Sequence, residues 1–352
     1  MFDKLLATPT SWEQIQNTDK PIILYGTGNG ADLVMDELER LGVRLSAVTA
    51  SEGFVRSRDF RGYKVRSISD IHLDFPDPLV VLSFASSIPS VMDDIKKVNE
   101  KYETIMPVVP VFGSEIFNRR YVEENLHTLK LCRNLLCDEE SVRVFDGMIR
   151  FTYTGKLSYL FEIESPRDAA LLETLKLTDN EHMLDLGAYR GDTIEELINV
   201  CGGFASVVAL EPDKKTFEEL QSNTKHLQNV TLYPYAVWNT DTELEFFGGG
   251  GRQSTLCQKG KYTVKAVAID NLIDKQPVTY VKMDVEGVEK EALEGIAGLI
   301  NRCKPKLCVS AYHRTDDLCT LIPLIHKLNP DYKIHLRHHP YIPCWDTNLY
   351  CV

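Results

Sequence analysis

At 352 residues the chain has length for about two domains with full hydrophobic cores, and 43% hydrophobic against 26% charged residues is ordinary globular composition. A net charge of −12 without a run of Lys and Arg argues against nucleic acid as a partner, and no apolar run approaches the ~18 residues of a membrane helix. The residues after Met1 do not read as a secretory leader, so none is expected, and nine scattered cysteines without a C-x-x-C pair suggest neither a zinc knuckle nor a disulfide scaffold, so a cytoplasmic location is expected.

Residues 1–20 read as a short helix with Ser11 as N-cap, and Pro21–Tyr25 as a buried strand. The strand runs into Gly26-Thr27-Gly28-Asn29-Gly30-Ala31, which fits G-x-G-x-x-[G/A]. A helix from Ala31 to Leu41, closed by Gly42, and a strand from Leu45 to Ala50 complete a βαβ unit. The second strand ends in Thr49-Ala50-Ser51, with Glu52 the nearest carboxylate, so the ribose-binding acid of a dinucleotide site is not clear. Arg56 and Arg58 stand close enough in sequence to meet a phosphate. One fingerprint is a weak signal, and both nucleotide binding and a purely structural role stay open. Tyr63–Val65, Pro78–Phe84 and Thr104–Val111 read as further strands, and Ser90–Tyr102 as a helix. Residues 1–114 are therefore expected to form a Rossmann-like domain. Residues 115–164 read as a helical connector, with Glu115–Leu136 amphipathic and Asp138 capping Glu139–Phe151.

The second domain, 165–352, opens with a helix at Ala169–Leu175. Then Met183-Leu184-Asp185-Leu186 reads as a strand, Gly187-x-x-x-Gly191 as a tight turn, and Asp192 or Thr193 as the cap of a helix from Ile194 to Val200. An acid two residues before the first glycine is a poor partner for pyrophosphate but a good one for an amino group. That points to S-adenosylmethionine, whose methionine end is positive there. A second strand, Ser206–Pro212, ends in Glu211, 26 residues after Asp185, where an acid reaches ribose hydroxyls in doubly wound folds. Pro212 and Asp213 start the helix Lys214–His226, and Val230–Trp238 reads as a third strand with Ala236 beside the adenine.

Glu243–Phe247 and Tyr262–Ile269 read as extra strands around the glycine run Gly248–Gly251. Arg252 and Ser254 in that loop are expected to meet the acceptor, and Asp270 to cap a short helix. Val278–Asp284 is a buried strand leading to a helix at about Gly287. Asp284, Glu286 and Glu289 gather at that junction, placed for proton or cation work. The strand Lys306–His313 ends in Tyr312-His313 and precedes a helix over Leu318–Leu328. Tyr332–His339 and Asn348–Val352 then form a terminal antiparallel pair, one strand of it inserted at the sheet edge. The fold class expected is α/β: a Rossmann-like seven-stranded methyltransferase domain preceded by a smaller Rossmann-like α/β domain.

Asp185–Gly191, Ala209–Asp213, Lys282–Glu289 and Ser310–His313 together resemble the FkbM family of S-adenosylmethionine-dependent methyltransferases, over about residues 165–352. Tyr189 departs from the Asn usual in that motif. Residues 1–115 lie outside this resemblance. The Gly26–Ala31 loop and Phe60–Val65 are loosely similar to nucleotide-sugar-binding modules of sugar-modifying enzymes. The FkbM resemblance implies methylation of a hydroxyl on a saccharide, nucleotide sugar or glycosylated product. It assigns Asp185, Gly187 and Gly191 to the methionine end of the cofactor, Glu211 to the ribose, and Asp284 to the amino group or acceptor; Ala188, Thr193, Pro212 and Ala236 are further cofactor-binding candidates.

His313 is the first choice for the base, oriented by Asp284 or Glu289, with Glu286 and Tyr312 at the acceptor. A divalent metal on Asp284 and His313 is the alternative means of acidifying the hydroxyl; no metal is expected. The partner expected is a small-molecule or saccharide acceptor, without membrane insertion, and homo-oligomerisation stays open. Two competing functions are an NAD(P)-dependent oxidoreductase using Gly26–Ala31, against which the missing Tyr-x-x-x-Lys pair weighs, and a non-catalytic nucleotide-binding protein.

Overall fold

A computed structural model describes every residue except 56–58, 111, 114, 248–254, 257–261 and 274. The chain divides into two units. Unit 1 holds Met1–His127, Arg143–Glu164 and His338–Trp345. Unit 2 holds Thr128–Val142, Ser165–Arg337 and Asp346–Val352. Residues 115–164 are thus shared between them.

Unit 1 is built on five parallel strands: β1 (Ile22–Tyr25), β2 (Ala47–Ala50), β3 (Val65–Ser67), β4 (Leu79–Leu82) and β5 (Glu103–Ile105), in the order β3-β2-β1-β4-β5. Every residue of β1, β2 and β4 is buried, as expected of parallel strands covered on both faces. Helix Asn29–Arg40 packs Val34 and Leu38 onto Leu24, Val48 and Val81.

The first 20 residues form two helices, Phe2–Leu6 and Ser11–Asn17, in place of the one expected. Thr10, not Ser11, is the cap. Its Oγ1 accepts from Glu13 N at 3.1 Å and the Glu13 carboxylate accepts from Thr10 N at 2.7 Å, a reciprocal box that leaves Ser11 inside the first turn. The helix expected over 115–136 is two, Arg119–Glu124 and Leu126–Leu135, divided at Asn125.

Unit 2 carries two sheets. Its strands are β6 (His182–Leu186), β7 (Ser206–Leu210), β8 (Val230–Tyr233), β9 (Ala236–Val237), β10 (Thr242–Phe247), β11 (Thr255–Leu256), β12 (Tyr262–Val267), β13 (Tyr280–Met283), β14 (Lys306–Ser310), β15 (Ile334–His338) and β16 (Thr347–Cys351). Seven run in the order β15-β16-β14-β13-β6-β7-β8, parallel from β14 to β8, with β16 antiparallel to β14. The other four form a sheet in the order β11-β10-β12-β9, with β10 antiparallel to both neighbours. Consecutive strands lead away from β6 on one side, and β13 lies on the other. The crevice at the carboxyl ends of β6 and β13 is therefore where a doubly wound sheet offers a site.

The single strand expected over Val230–Trp238 is broken at Pro234, which has no N–H for a ladder. Ala236 consequently belongs to β9 in the smaller sheet. Asp270 lies within helix Ile269–Leu272. Its carboxylate accepts from Gly298 N and Leu299 N, both at 2.7 Å, so it caps the distant helix Ala297–Cys303. Asp138 does cap Glu139–Thr154, accepting from Ser141 N at 2.7 Å. No helix among the described residues is long and apolar enough to cross a membrane.

Candidate active site

β6 delivers Asp185 fully buried and then turns sharply. Gly187 N and Ala188 N both donate to Leu210 O at the end of β7, and Gly191 N returns to Ala188 O. Gly187 stands at φ +81°, and a Cβ there would lie 1.9 Å from Asp284 O. No other residue fits, because the turn after β6 lies directly against the backbone at the end of β13. Gly191 opens the helix Asp192–Cys201, with Thr193 buried in its first turn.

Neither carboxylate oxygen of Asp185 has a hydrogen-bond partner among the described residues. Its charge is met by Lys282 on β13, which stands opposite it in the sheet register, with Nζ 3.5 Å from Oδ1 and donating to Gly187 O at 2.8 Å. Burial raises Asp185 to about 6, with Lys282 opposing the rise. Lys282 is 7% exposed and keeps its proton, because Asp185 and Asp284 outweigh the cost of its burial. Sequence reasoning missed this lysine; a lone charge within the buried run Tyr280–Met283 was its signal.

Glu211, at the end of β7, is held by two backbone donors, Tyr189 N to Oε2 at 3.0 Å and Asp213 N to Oε1 at 2.8 Å. Burial lifts it to about 7 against those bonds. Pro212 follows, and Asp213 caps the next helix through Thr216 N at 2.9 Å. Tyr189, the residue that departs from the family motif, takes φ +47°, a left-handed conformation that Asn tolerates better than an aromatic residue.

Asp284, Glu286, Glu289, Tyr312 and His313 come together at the ends of β13 and β14. Buried His313 directs Nδ1 at Glu289 Oε1 (2.9 Å) and Nε2 at Asp284 (3.3 Å) and Glu286 (3.5 Å). Tyr312 Oη reaches both oxygens of Asp284 at 3.3 to 3.4 Å. Glu289 Oε1 also accepts from Val285 N and Gly287 N, while its buried Oε2 has no hydrogen-bond partner among the described residues. Asp284 and Glu286 each expose 30% of the side chain, so they form the open side of the cluster, and His313 and Glu289 form its floor.

The charges are coupled. Burial works against a charged His313, but Glu289, Asp284 and Glu286 outweigh it and raise the imidazole to about 10. Burial also pushes Glu286 to about 7, whereas Lys282 and His313 overcome it at Asp284 and hold that carboxyl below its usual range. Asp317, which no motif pointed to, is buried beside the floor and raised to about 8 by burial and by Glu289. Donor atoms of Asp284, Glu286 and His313 lie within 4.8 Å of one another, as do those of Glu289, His313 and Asp317. A cation taking a His313 nitrogen would first have to displace a strongly held proton.

Ala236 is buried at the start of β9. Arg252 and Ser254 lie outside the described residues, as do Gly248–Gly251, Arg56 and Arg58.

Residues 185–332 match the family model described as the methyltransferase FkbM domain. The structure resembles that of a methyltransferase FkbM from Methylobacillus flagellatus with a TM-score of 0.71 at 22% identity, covering 100% of this chain and 93% of that one; at this identity the likeness is one of fold. Among curated proteins, the hexuronic acid methyltransferase AglP of Haloferax volcanii is 28% identical over 111 residues, which is 29% of this chain. The chain spans 45% of that relative's length.

Proposed function

We propose that this chain, in which residues 185–332 match the methyltransferase FkbM domain, moves a methyl group from S-adenosylmethionine to a sugar hydroxyl. The observation that supports this is the closeness of Gly187 to Asp284 O, where a Cβ would lie 1.9 Å away, which brings the turn after β6 beside the carboxylate–imidazole cluster.

The residues present suit the cofactor. Asp185 has two buried oxygens without a hydrogen-bond partner among the described residues, beside a turn that only glycine permits, and the carboxylates Asp185, Asp284, Glu286 and Glu289 outnumber the cations Lys282 and His313, leaving a place for an amino group. Glu211, fixed by Tyr189 N and Asp213 N, keeps acceptor capacity for ribose hydroxyls. When bound, S-adenosylmethionine supplies an electrophilic methyl on a sulfonium.

The protein's own task is alignment and proton handling. Asp284 and Glu286, on the open side, accept hydrogen bonds from the incoming hydroxyl. Glu286, near 7, takes its proton, and the His313 imidazolium, held by Glu289, steadies the carboxylates on either side of that transfer. Three carboxylates facing one imidazolium make a poor seat for an anionic acceptor group, which favours a hydroxyl over a carboxylate. The relative named for a hexuronic acid supports the sugar class.

The test is calorimetric titration with S-adenosylhomocysteine, followed by radiolabelled methyl transfer to a panel of sugars and nucleotide sugars. Binding by the parent, lost in a folded Asp185→Ala/Glu211→Ala variant, supports the site. A folded parent that neither binds nor transfers refutes it.

A further inference from the structure

Unit 1 contains a cavity of ≈ 770 Å³ whose lining includes none of the residues of the candidate active site. It is within the size range of small-molecule sites. Its walls come from the segments that follow β1, β2 and β4, among them Gly28, Ser51 and Phe84. Strands β2 and β4 flank β1 on opposite sides, so the cavity opens at the carboxyl ends of the sheet, where the strand order reverses.

The lining has two kinds of surface. One is aromatic: Phe54, Phe60 and Phe84 contribute, and Phe54 leaves 61% of its surface to water. A large exposed aromatic at the mouth of a cavity is a surface for a flat ring to cover. The other is backbone. Helix Asn29–Arg40 begins at Gly28 without a side-chain cap, and the N–H groups of Asn29 and Gly30 have no acceptor in the chain among the described residues. A Cβ at Gly30 would lie 2.4 Å from Ser83 O, so glycine lets this helix start sit against the end of β4, inside the cavity wall.

Where a nicotinamide dinucleotide would need an acid, at the end of β2, stands Ser51, with Oγ 2.6 Å from Tyr25 Oη. Asp32, in the first turn of helix Asn29–Arg40, and Asp59 also line the cavity and can accept hydroxyl hydrogens. Arg61 is the cation of the described lining, its Nη1 on Asp32 O and Asp36.

We infer that this cavity binds a nucleoside diphosphate, with the base against Phe54, Phe60 and Phe84 and the diphosphate on the backbone N–H groups of Gly28–Gly30. The full chain would be titrated calorimetrically with ADP, UDP, GDP and CDP, and with inorganic pyrophosphate. One or more of the nucleotides binds at least tenfold tighter than pyrophosphate. Two variants are expected to fold normally. At Gly28 a Cβ meets nothing within 4 Å, and Phe54 is exposed. Gly28→Leu and Phe54→Ala each weaken the nucleotide tenfold or more and leave S-adenosylhomocysteine binding unchanged. The proposal is overturned if no nucleoside diphosphate binds the folded parent, if pyrophosphate binds as tightly as they do, or if binding survives both substitutions. Nucleotide binding in a parent that ignores S-adenosylhomocysteine would leave this site standing and remove the methyl-transfer proposal.

Discussion

His313 Nδ1 lies 2.9 Å from Glu289 Oε1, with both side chains buried. This pair fixes the ring so that Nε2 faces Asp284 and Glu286, and it holds the imidazole charged at neutral pH. Glu289→Gln keeps the shape and removes the charge. His313 should then titrate below 10, and the alkaline limb of the pH–kcat profile for methyl transfer should move to lower pH. Glu289→Ala, which leaves the imidazolium without its buried partner, should cost about 3–5 kcal/mol in denaturant unfolding. An unshifted profile in a folded Glu289→Gln variant would disconnect the pair from the chemistry.

Stability should fall as pH rises, and the sign follows from five groups. Asp185 is raised to about 6, Glu211 and Glu286 to about 7 and Asp317 to about 8, all above their unfolded values, and His313 is raised to about 10. A group whose folded pKa is raised contributes stability that is complete below its unfolded pKa and is lost as pH climbs through the folded one. The carboxyls therefore act from about pH 4 to 8 and His313 from about 6.5 to 10. Thermal denaturation from pH 5 to 9 should give a descending Tm. Glu211→Gln should flatten the part of the descent between pH 5 and 7.

Lys282→Met should leave Asp185 buried beside no cation. The expected loss is about 3–5 kcal/mol of stability by urea denaturation. Because Lys282 Nζ also holds Gly187 O, S-adenosylhomocysteine affinity should fall at least tenfold in whatever fraction folds. An Asp185→Asn/Lys282→Met double variant should recover part of the stability without recovering the binding.

Tyr189 pays for its left-handed φ of +47°. Tyr189→Gly should stabilise the fold by about 0.5–1 kcal/mol if the turn keeps its shape, since glycine adopts this conformation without a Cβ penalty. Asp270→Ala, by contrast, removes two cap bonds from helix Ala297–Cys303 and should cost about 1 kcal/mol while leaving methyl transfer unchanged. Paired unfolding curves for the two variants separate these effects.

Local patterns made the centre of the site legible. The apolar run before Asp185, the glycines after it and the acids after Met283 mark strand ends and helix starts, and each depends on neighbours within about ten residues. Relations across the sheet left no such trace. Lys282 meets Asp185 only because β13 pairs with β6 in a particular register. Asp270 looked like the cap of its own helix but serves one 27 residues further on, at Ala297. The charge state of His313 was out of reach for the same reason. An isolated histidine titrates near neutrality, and only the convergence of three carboxylates from another strand end moves it. Pro234 was visible, but the apolar residues on both sides of it outweighed the missing N–H in the reading of one long strand.

The register that sets Asp185 opposite Lys282 also bears on how the domain is made. The lysine follows the acid by 97 residues, from position 185 to 282. On a ribosome, β6, β7 and β8 emerge well before it, and a sheet nucleated on those three would hold a carboxylate at its centre with no counter-charge. Burying that acid alone is unfavourable, so the middle of the sheet should stay open until β13 arrives. The proton on Asp185 would serve as a stand-in for the lysine during that interval. Refolding should then be faster in mildly acidic solution than at pH 8, with the difference removed in Asp185→Asn.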